Sequence, residues 1–184
     1  MQIEYIVTEA RLIDGVIVPE LVHGATLLRV DSDTVGILKC DALCTSDQSI
    51  RLGILTADCA PICFSDGKQI AIAHVGWRGL CGGLIEKVLK ELDSHNLEIV
   101  VGPHLHIFEI QKDFCHEMIF AKFGDAFFST KEGKIIFHFK DAIASLLPAH
   151  TTFDPRNTGT DMTLPSHRRD GGSKRLVTVV ECKK

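Results

Sequence analysis

The sequence predicts an α/β (α+β) fold, a layered sandwich forming a single domain over residues 1–184, from three observations. Short β-branched or apolar runs, punctuated by Asp, Gly and Ser, fill the first third of the chain. An amphipathic helical pattern then runs into another apolar stretch, the strand, helix, strand order of a crossover. Strands and helices are mixed from there to the C-terminus, and elements of both kinds must bury one face against a shared core.

Ile3–Thr8, Gly15–Val18, Ala25–Val30 and Gly53–Leu55 read as strands. Ala60–Ser65 and Lys68–His74 flank Asp66-Gly67, the dipeptide that favours a two-residue type I′ hairpin because both positions need positive φ. A loop of those two residues alone sets Cys59 opposite His74 at the open end of the hairpin, with Cβ atoms about 4.5–5.5 Å apart. Beyond the glycine-rich segment Val75–Gly83, Leu84, Ile85, Val88, Leu89 and Leu92 recur at helical spacing, predicting one helix over about residues 80–94. Leu97–Val101 is a strand ending at Gly102-Pro103. A helix is expected at Lys112–Phe123, a strand at Ile135–Phe139, a short helix at Asp141–Leu147 stopped by Pro148, and a last strand at Leu176–Glu181. Residues 151–175 read as less ordered.

A chain of 184 residues can bury roughly 70 % of its unfolded surface, and 45 % hydrophobic residues suffice for that. No apolar stretch approaches the roughly 20 residues of a membrane span, and MQIEYIVTEA lacks the layout of an export signal, so a soluble, cytoplasmic protein is expected. With 20 Lys plus Arg scattered among 24 Asp plus Glu, there is no concentrated basic stripe for nucleic-acid phosphates. Seven Cys and nine His are the unusual part of the composition. An odd cysteine count without a C-x-x-C pair argues against a disulfide framework. Cys40, Cys44 and Cys63, in apolar runs, read as small buried hydrophobes.

Cys59 stands in Thr56-Ala57-Asp58-Cys59-Ala60-Pro61, where proline cannot donate a ladder hydrogen bond, so regular pairing should stop and leave Cys59 at a strand end or in a turn. His74 closes an apolar run. Such a pair supports two chemistries. His74 could deprotonate Cys59 for nucleophilic attack, or the two could bind Zn2+ with at least one further ligand and an open position for water. His23 is a candidate third ligand, although spacing does not single it out. In His74–Gly83, backbone N–H groups around Gly79, together with Arg78 and a helix N-terminus, suggest an anion site that matches no standard nucleotide motif. Arg168 and Arg169 could clamp a phosphate or ribose. His104 follows a strand end, where ligand-facing loops often lie, and Asp58 could orient a ligand. His95, His106, His116, His138 and His150 read as surface or packing residues.

Val22-His23-Gly24, Asp41-Ala42-Leu43, Thr56–Pro61, Ala73-His74-Val75-Gly76-Trp77-Arg78-Gly79, Gly102-Pro103-His104-Leu105 and Arg168-Arg169-Asp170 occur in that order. Over roughly residues 20–175 this series resembles the YfiH-type laccase-domain family, also labelled multicopper polyphenol oxidase and peptidoglycan editing factor. The resemblance implies a three-layer sandwich with mixed β-sheets, similar to cysteine hydrolases, and a zinc site falling on His23, Cys59 and His74, with copper as the alternative metal. It implies phosphorolysis of adenosine, inosine, guanosine or methylthioadenosine, extending to adenosine deamination, with a purine nucleoside and phosphate as the small-molecule partners and no nucleic acid or membrane. On that basis Cys59, His74 and Asp58 would be catalytic, and Arg78, Gly79, His104, Arg168 and Arg169 would bind substrate or phosphate. The alternatives are a non-catalytic zinc- or partner-binding member, a cysteine hydrolase editing peptidoglycan precursors, and a copper polyphenol oxidase. The chain departs from the family pattern in three places. It reads as shortened at the N-terminus, with 22 residues before His23. Leu21 replaces the usual Gln. Thr152-Phe153-Asp154 stands near the place of a Cys-Thr element.

Overall fold

In a computed structural model describing residues 1–10 and 13–183, Ala60–Ser65 and Ile70–Val75 are buried at every position. Strands buried throughout need cover on both faces of their sheet, and the other elements supply it. The N-terminal half runs β1 (Gln2–Thr8), β2 (Leu27–Arg29), β3 (Ala42–Thr45), β4 (Leu52–Thr56), β5 (Ala60–Ser65) and β6 (Ile70–Val75), then α1 (Trp77–Cys81) and α2 (Leu84–Glu91). There follow β7 (Glu98–Val101), β8 (Phe108–Ile110), α3 (Phe114–Phe123), β9 (Phe128–Lys131), β10 (Lys134–Phe137), α4 (Phe139–Ser145), β11 (Thr152–Phe153), α5 (His167–Asp170) and β12 (Arg175–Glu181).

A six-stranded sheet in the order β11-β7-β5-β6-β3-β2 is the middle layer, with parallel pairs at both edges and antiparallel pairs between them. Side-chain alternation sorts its two faces. Ile62, Phe64, Ala71 and Ala73 pack with Leu80, Leu84, Ile85 and Val88 of the helices. Cys63, Ile70 and Ile72 pack with Leu52 and Ile54 of β4 and Val180 of β12. The small antiparallel sheet β1-β12-β4 therefore covers one face and the helices the other, a three-layer sandwich with mixed sheets. A third sheet, β8-β10-β9, shares no ladder with these, and its Ile110 and Phe137 join the core on the helical side. Among the described residues no helix is long and apolar enough to cross a membrane.

The elements depart from expectation where glycine and turn chemistry compete with periodicity. The single helix at 80–94 is two, broken at Gly82-Gly83, where Gly83 adopts a left-handed φ of 77°. The crossover from β6 to β7 does not join neighbours, because β5 lies between them and is antiparallel to both. The hairpin loop has four residues instead of two. Ser65 pairs with Ile70, and the Asp66 carboxylate accepts the N–H groups of Lys68 and Gln69 at 2.9 and 2.8 Å, an Asx-type turn displacing the type I′ geometry. That shifts the register so that Pro61, not Cys59, is opposite His74. Gly15–Val18 makes only one bridge, Ile17 to Leu52, while β3 is a strand the pattern did not announce. Residues 151–175 contain β11 and α5 and are held by the hydrogen bonds described below, so the expectation of a less ordered stretch is corrected.

Candidate functional site

His74, at the end of β6, shares the face of Ile70 and Ile72 and points away from the helical layer. Cys59 lies in the bend that carries the chain from β4 in the small sheet to β5 in the large one. Asp58 makes that bend possible with a φ of 85°, a conformation that aspartate tolerates better than most residues. Its carboxylate accepts from Thr158 Oγ1 and from the Arg168 N–H, both at 2.8 Å, so it braces the Cys59 turn against the C-terminal segment. His23 is exposed on the loop before β2, with a left-handed φ of 54°. Its ring meets that of His74 edge-on, with centroids 5.0 Å apart.

Two glycines set how closely these pieces approach. A Cβ on Gly79 would stand 2.8 Å from the Gly24 carbonyl oxygen, so only glycine lets α1 come this near to the His23 loop. A Cβ on Gly76 would stand 3.0 Å from Cys59 Sγ and 4.0 Å from His74 Cε1. The thiol and the imidazole are neighbours even though they do not face each other across the ladder. The result is a cavity of about 150 Å³ lined by His23, Gly24, Cys59, His74, Gly76, Trp77, Arg78 and Gly79. The Arg78 guanidinium lies over the Trp77 ring, 4.6 Å from its centroid, which holds the charge at the mouth.

The remaining expected site residues do not line this cavity. His104 is fully buried, with Nδ1 2.8 Å from the Gly102 carbonyl oxygen. Arg168 lies over Phe108 with its centre of charge 4.4 Å from the ring centroid, near enough for its field to reach the Cys59 thiol. Arg169 has every donor engaged, with Nε and Nη2 on the Asp170 carboxylate and Nη1 and Nη2 on the carbonyls of Thr158, Asp161 and Leu164. A guanidinium has five N–H donors, so here it staples a loop and leaves no donor for phosphate.

Burial pushes the His74 imidazole down to about 4, helped by the charge of His23 and opposed by Asp41. Burial, with the Asp58 carboxylate adding to it and Arg168 opposing, pushes the Cys59 thiol up to about 11. Both shifts favour the uncharged thiol and imidazole over a preformed thiolate–imidazolium pair. A neutral imidazole is the form that ligates metal, and a bound cation removes a thiol proton outright. The donor set of one sulfur and two imidazoles suits a zinc-type ion. Among the described residues, no three His, Cys, Asp or Glu side chains are gathered closely enough to enclose an ion as they stand. All seven cysteines are free, with Cys40, Cys44 and Cys63 buried as core residues. One buried group went unrecognised by residue chemistry. Asp41, with no exposure, places an acidic side chain inside the run Cys40–Cys44, and an aspartate in an apolar run is the signal that points to it.

A family model described as multi-copper polyphenol oxidoreductase laccase matches residues 3–183. A purine nucleoside phosphorylase of Aquifex aeolicus is 29 % identical over 150 residues, covering 78 % of this chain and 71 % of that protein. A purine nucleoside phosphorylase of Pseudomonas aeruginosa is 38 % identical over 86 residues, 45 % of this chain and 35 % of that protein. Among solved structures, protein NMB0706 of Neisseria meningitidis superposes with a TM-score of 0.82 at 21 % identity, covering 92 % of this chain and 75 % of that one. The YfiH protein of Bacillus licheniformis gives 0.78 at 22 % identity, covering 92 % and 74 %. These superpositions speak for the fold.

Proposed function

The chain belongs to the multi-copper polyphenol oxidoreductase laccase family, and from that membership we propose that it is a purine nucleoside phosphorylase with Zn2+ held by His23, Cys59 and His74. The observation that carries the reading is that these three residues and Arg78 line one cavity. The names of the relatives support phosphorolysis and do not mention deamination.

In the reaction a phosphate oxygen forms a bond to C1′ of the ribose as the bond from C1′ to the purine nitrogen breaks. The base leaves with that electron pair and takes up a proton, and ribose 1-phosphate remains. The ion, when bound, would supply Lewis acidity to an oxygen at the cavity floor. Arg78, fixed over Trp77, holds phosphate at the mouth by charge-assisted hydrogen bonds. A cavity of about 150 Å³ is small beside the roughly 300–1,000 Å³ of ordinary ligand sites, so it takes the reacting end while the base rests near the Trp77 edge. Asp58 contributes by holding the Cys59 turn in place.

The test incubates metal-analysed protein with inosine or adenosine, with and without phosphate, and follows free base and ribose 1-phosphate. Phosphate-dependent release of both in equal amounts, lost on chelation, is expected. Zinc-loaded protein that forms no product would overturn the enzyme assignment. Copper with phenol oxidation would overturn the metal and the reaction together.

A further inference from the structure

The cross-strand partner of His74 on the β5 side is proline, and its partner on the other side is a carboxylate. The β3–β6 ladder pairs Leu43 with Ile72 and Ala42 with Ala73, and the His74 N–H donates to the Asp41 carbonyl oxygen at 2.7 Å, which puts Asp41 one rung further on, opposite His74. Directly opposed residues point to the same face, with Cβ atoms about 4.5–5.5 Å apart. The neighbours agree, since Leu43 and Ile72 pack in the same core between the two sheets.

Asp41 is fully buried, and its two oxygens are treated differently. Oδ2 accepts the N–H groups of Gly24 at 2.9 Å and Thr26 at 3.3 Å, fixing the loop that carries His23. Oδ1 is buried without a partner, and so is Nδ1 of His74. These orphans are complementary, because a carboxylate can only accept and a neutral imidazole has one N–H to give. Leaving both unmade inside the protein would cost the desolvation of each.

We propose that Asp41 is a positioning residue whose Oδ1 accepts the Nδ1–H of His74, directly or through one water, so that the Nε2 lone pair is presented to the cavity. One carboxylate thereby sets the tautomer of His74 and the place of His23, coupling two side chains 51 residues apart in a chain of 184. A ligating imidazole whose other nitrogen donates to a carboxylate is a general way of orienting a metal ligand. The inference rests on the metal reading above only in the use made of Nε2.

Two-bond 1H–15N correlation spectra of the metal-free full chain report the tautomer. His74 is expected to carry its proton on Nδ1. Asp41→Asn keeps an acceptor oxygen for the Gly24 and Thr26 amides but turns an NH2 donor toward His74, so the proton should move to Nε2. Zinc affinity by chelator competition should fall about 10–100-fold, with the melting curve close to that of the parent. An Nε2–H tautomer in the parent protein overturns the proposal. So does an Asp41→Asn protein with unchanged tautomer and affinity. If that variant fails to fold, the parent spectrum alone decides. The tautomer readout uses neither metal nor nucleoside, so its failure is distinct from failure of the phosphorolysis assay.

Discussion

The cavity wall and the C-terminal brace both meet at the Cys59 turn and handle polar groups in opposite ways. In and behind the wall, His74 Nδ1 and Asp41 Oδ1 are buried and unpaired. In the brace, Arg169 has all its donors engaged and Ser166 caps α5 by accepting the Arg169 N–H. Two neighbouring arginines in one motif thus differ in kind, because Arg169 is consumed by its own loop while Arg168 keeps a guanidinium near the thiol. Buried polar groups are ordinarily satisfied, so each unpaired one calls for a proton, a ligand or a water. The division has an exception at the inner edge of the brace, where Nε2 of His104 and of His106 are also buried without partners.

The contrast can be broken by substitution. Cys59→Ala should abolish phosphate-dependent base release, by about 1,000-fold or more, equivalent to about 4 kcal/mol of barrier, while the urea midpoint barely moves. A comparable loss of stability would place Cys59 in the brace instead. Asp58→Ala should act first on stability, with any loss of activity following from the loosened Cys59 turn. Losing the acceptor for Thr158 and Arg168 should cost about 2–4 kcal/mol in chemical denaturation. A stable Asp58→Ala protein without activity would move this residue to the catalytic side.

Acid tests the exception. Burial holds His104 down at about 4 against its ordinary 6.5, so between those values the unfolded chain binds a proton that the folded one does not. The stability this residue contributes is present above pH 6.5 and is lost as pH falls toward 4, approaching about 3 kcal/mol. His104→Gln should flatten the acid limb of stability measured against pH, leaving the part due to His74. An unchanged limb would mean that His104 finds a partner when folded. The smallest effect is expected for Gly76→Ala, whose Cβ would press on Cys59 Sγ at 3.0 Å. Zinc affinity should drop about tenfold, with stability within about 1 kcal/mol of the parent. Equal affinity would show that the thiol turns away from the ion.

Much of this was legible in the residues. The β5 limits, Ala60–Ser65, are legible because an apolar run through Ile62 and Phe64 is closed by Asp66-Gly67, although pairing continues through Pro61 to Ala60. His23, Cys59, His74, Arg78 and Gly79 were named from motifs, and they meet at one cavity. The hairpin register was misread, since an aspartate can serve a type I′ turn or cap a longer loop, and the Asp93 N–H that also donates to Asp66 at 2.9 Å comes from 27 residues away. The split helix was missed because apolar spacing continues across Gly82-Gly83 while the backbone does not. Arg169 looked available for phosphate because its acceptors are mostly backbone carbonyls, which carry no sequence signature.

By itself the sequence determined the layered α/β class and the helical faces, and its motifs pointed to His23, Cys59, His74, Arg78 and Gly79 among the cavity-lining residues. Tertiary structure decided the register that puts Asp41, and not Cys59, opposite His74, and the burial that pushes the thiol and the imidazole to their neutral forms. It also decided that Arg169 is saturated while Arg168 has its guanidinium on Phe108 with one donor on the Glu109 carbonyl. The physical reason is the same in each case. Pairing partners, desolvation and hydrogen-bond saturation depend on groups that are distant along the chain, and no local pattern records them.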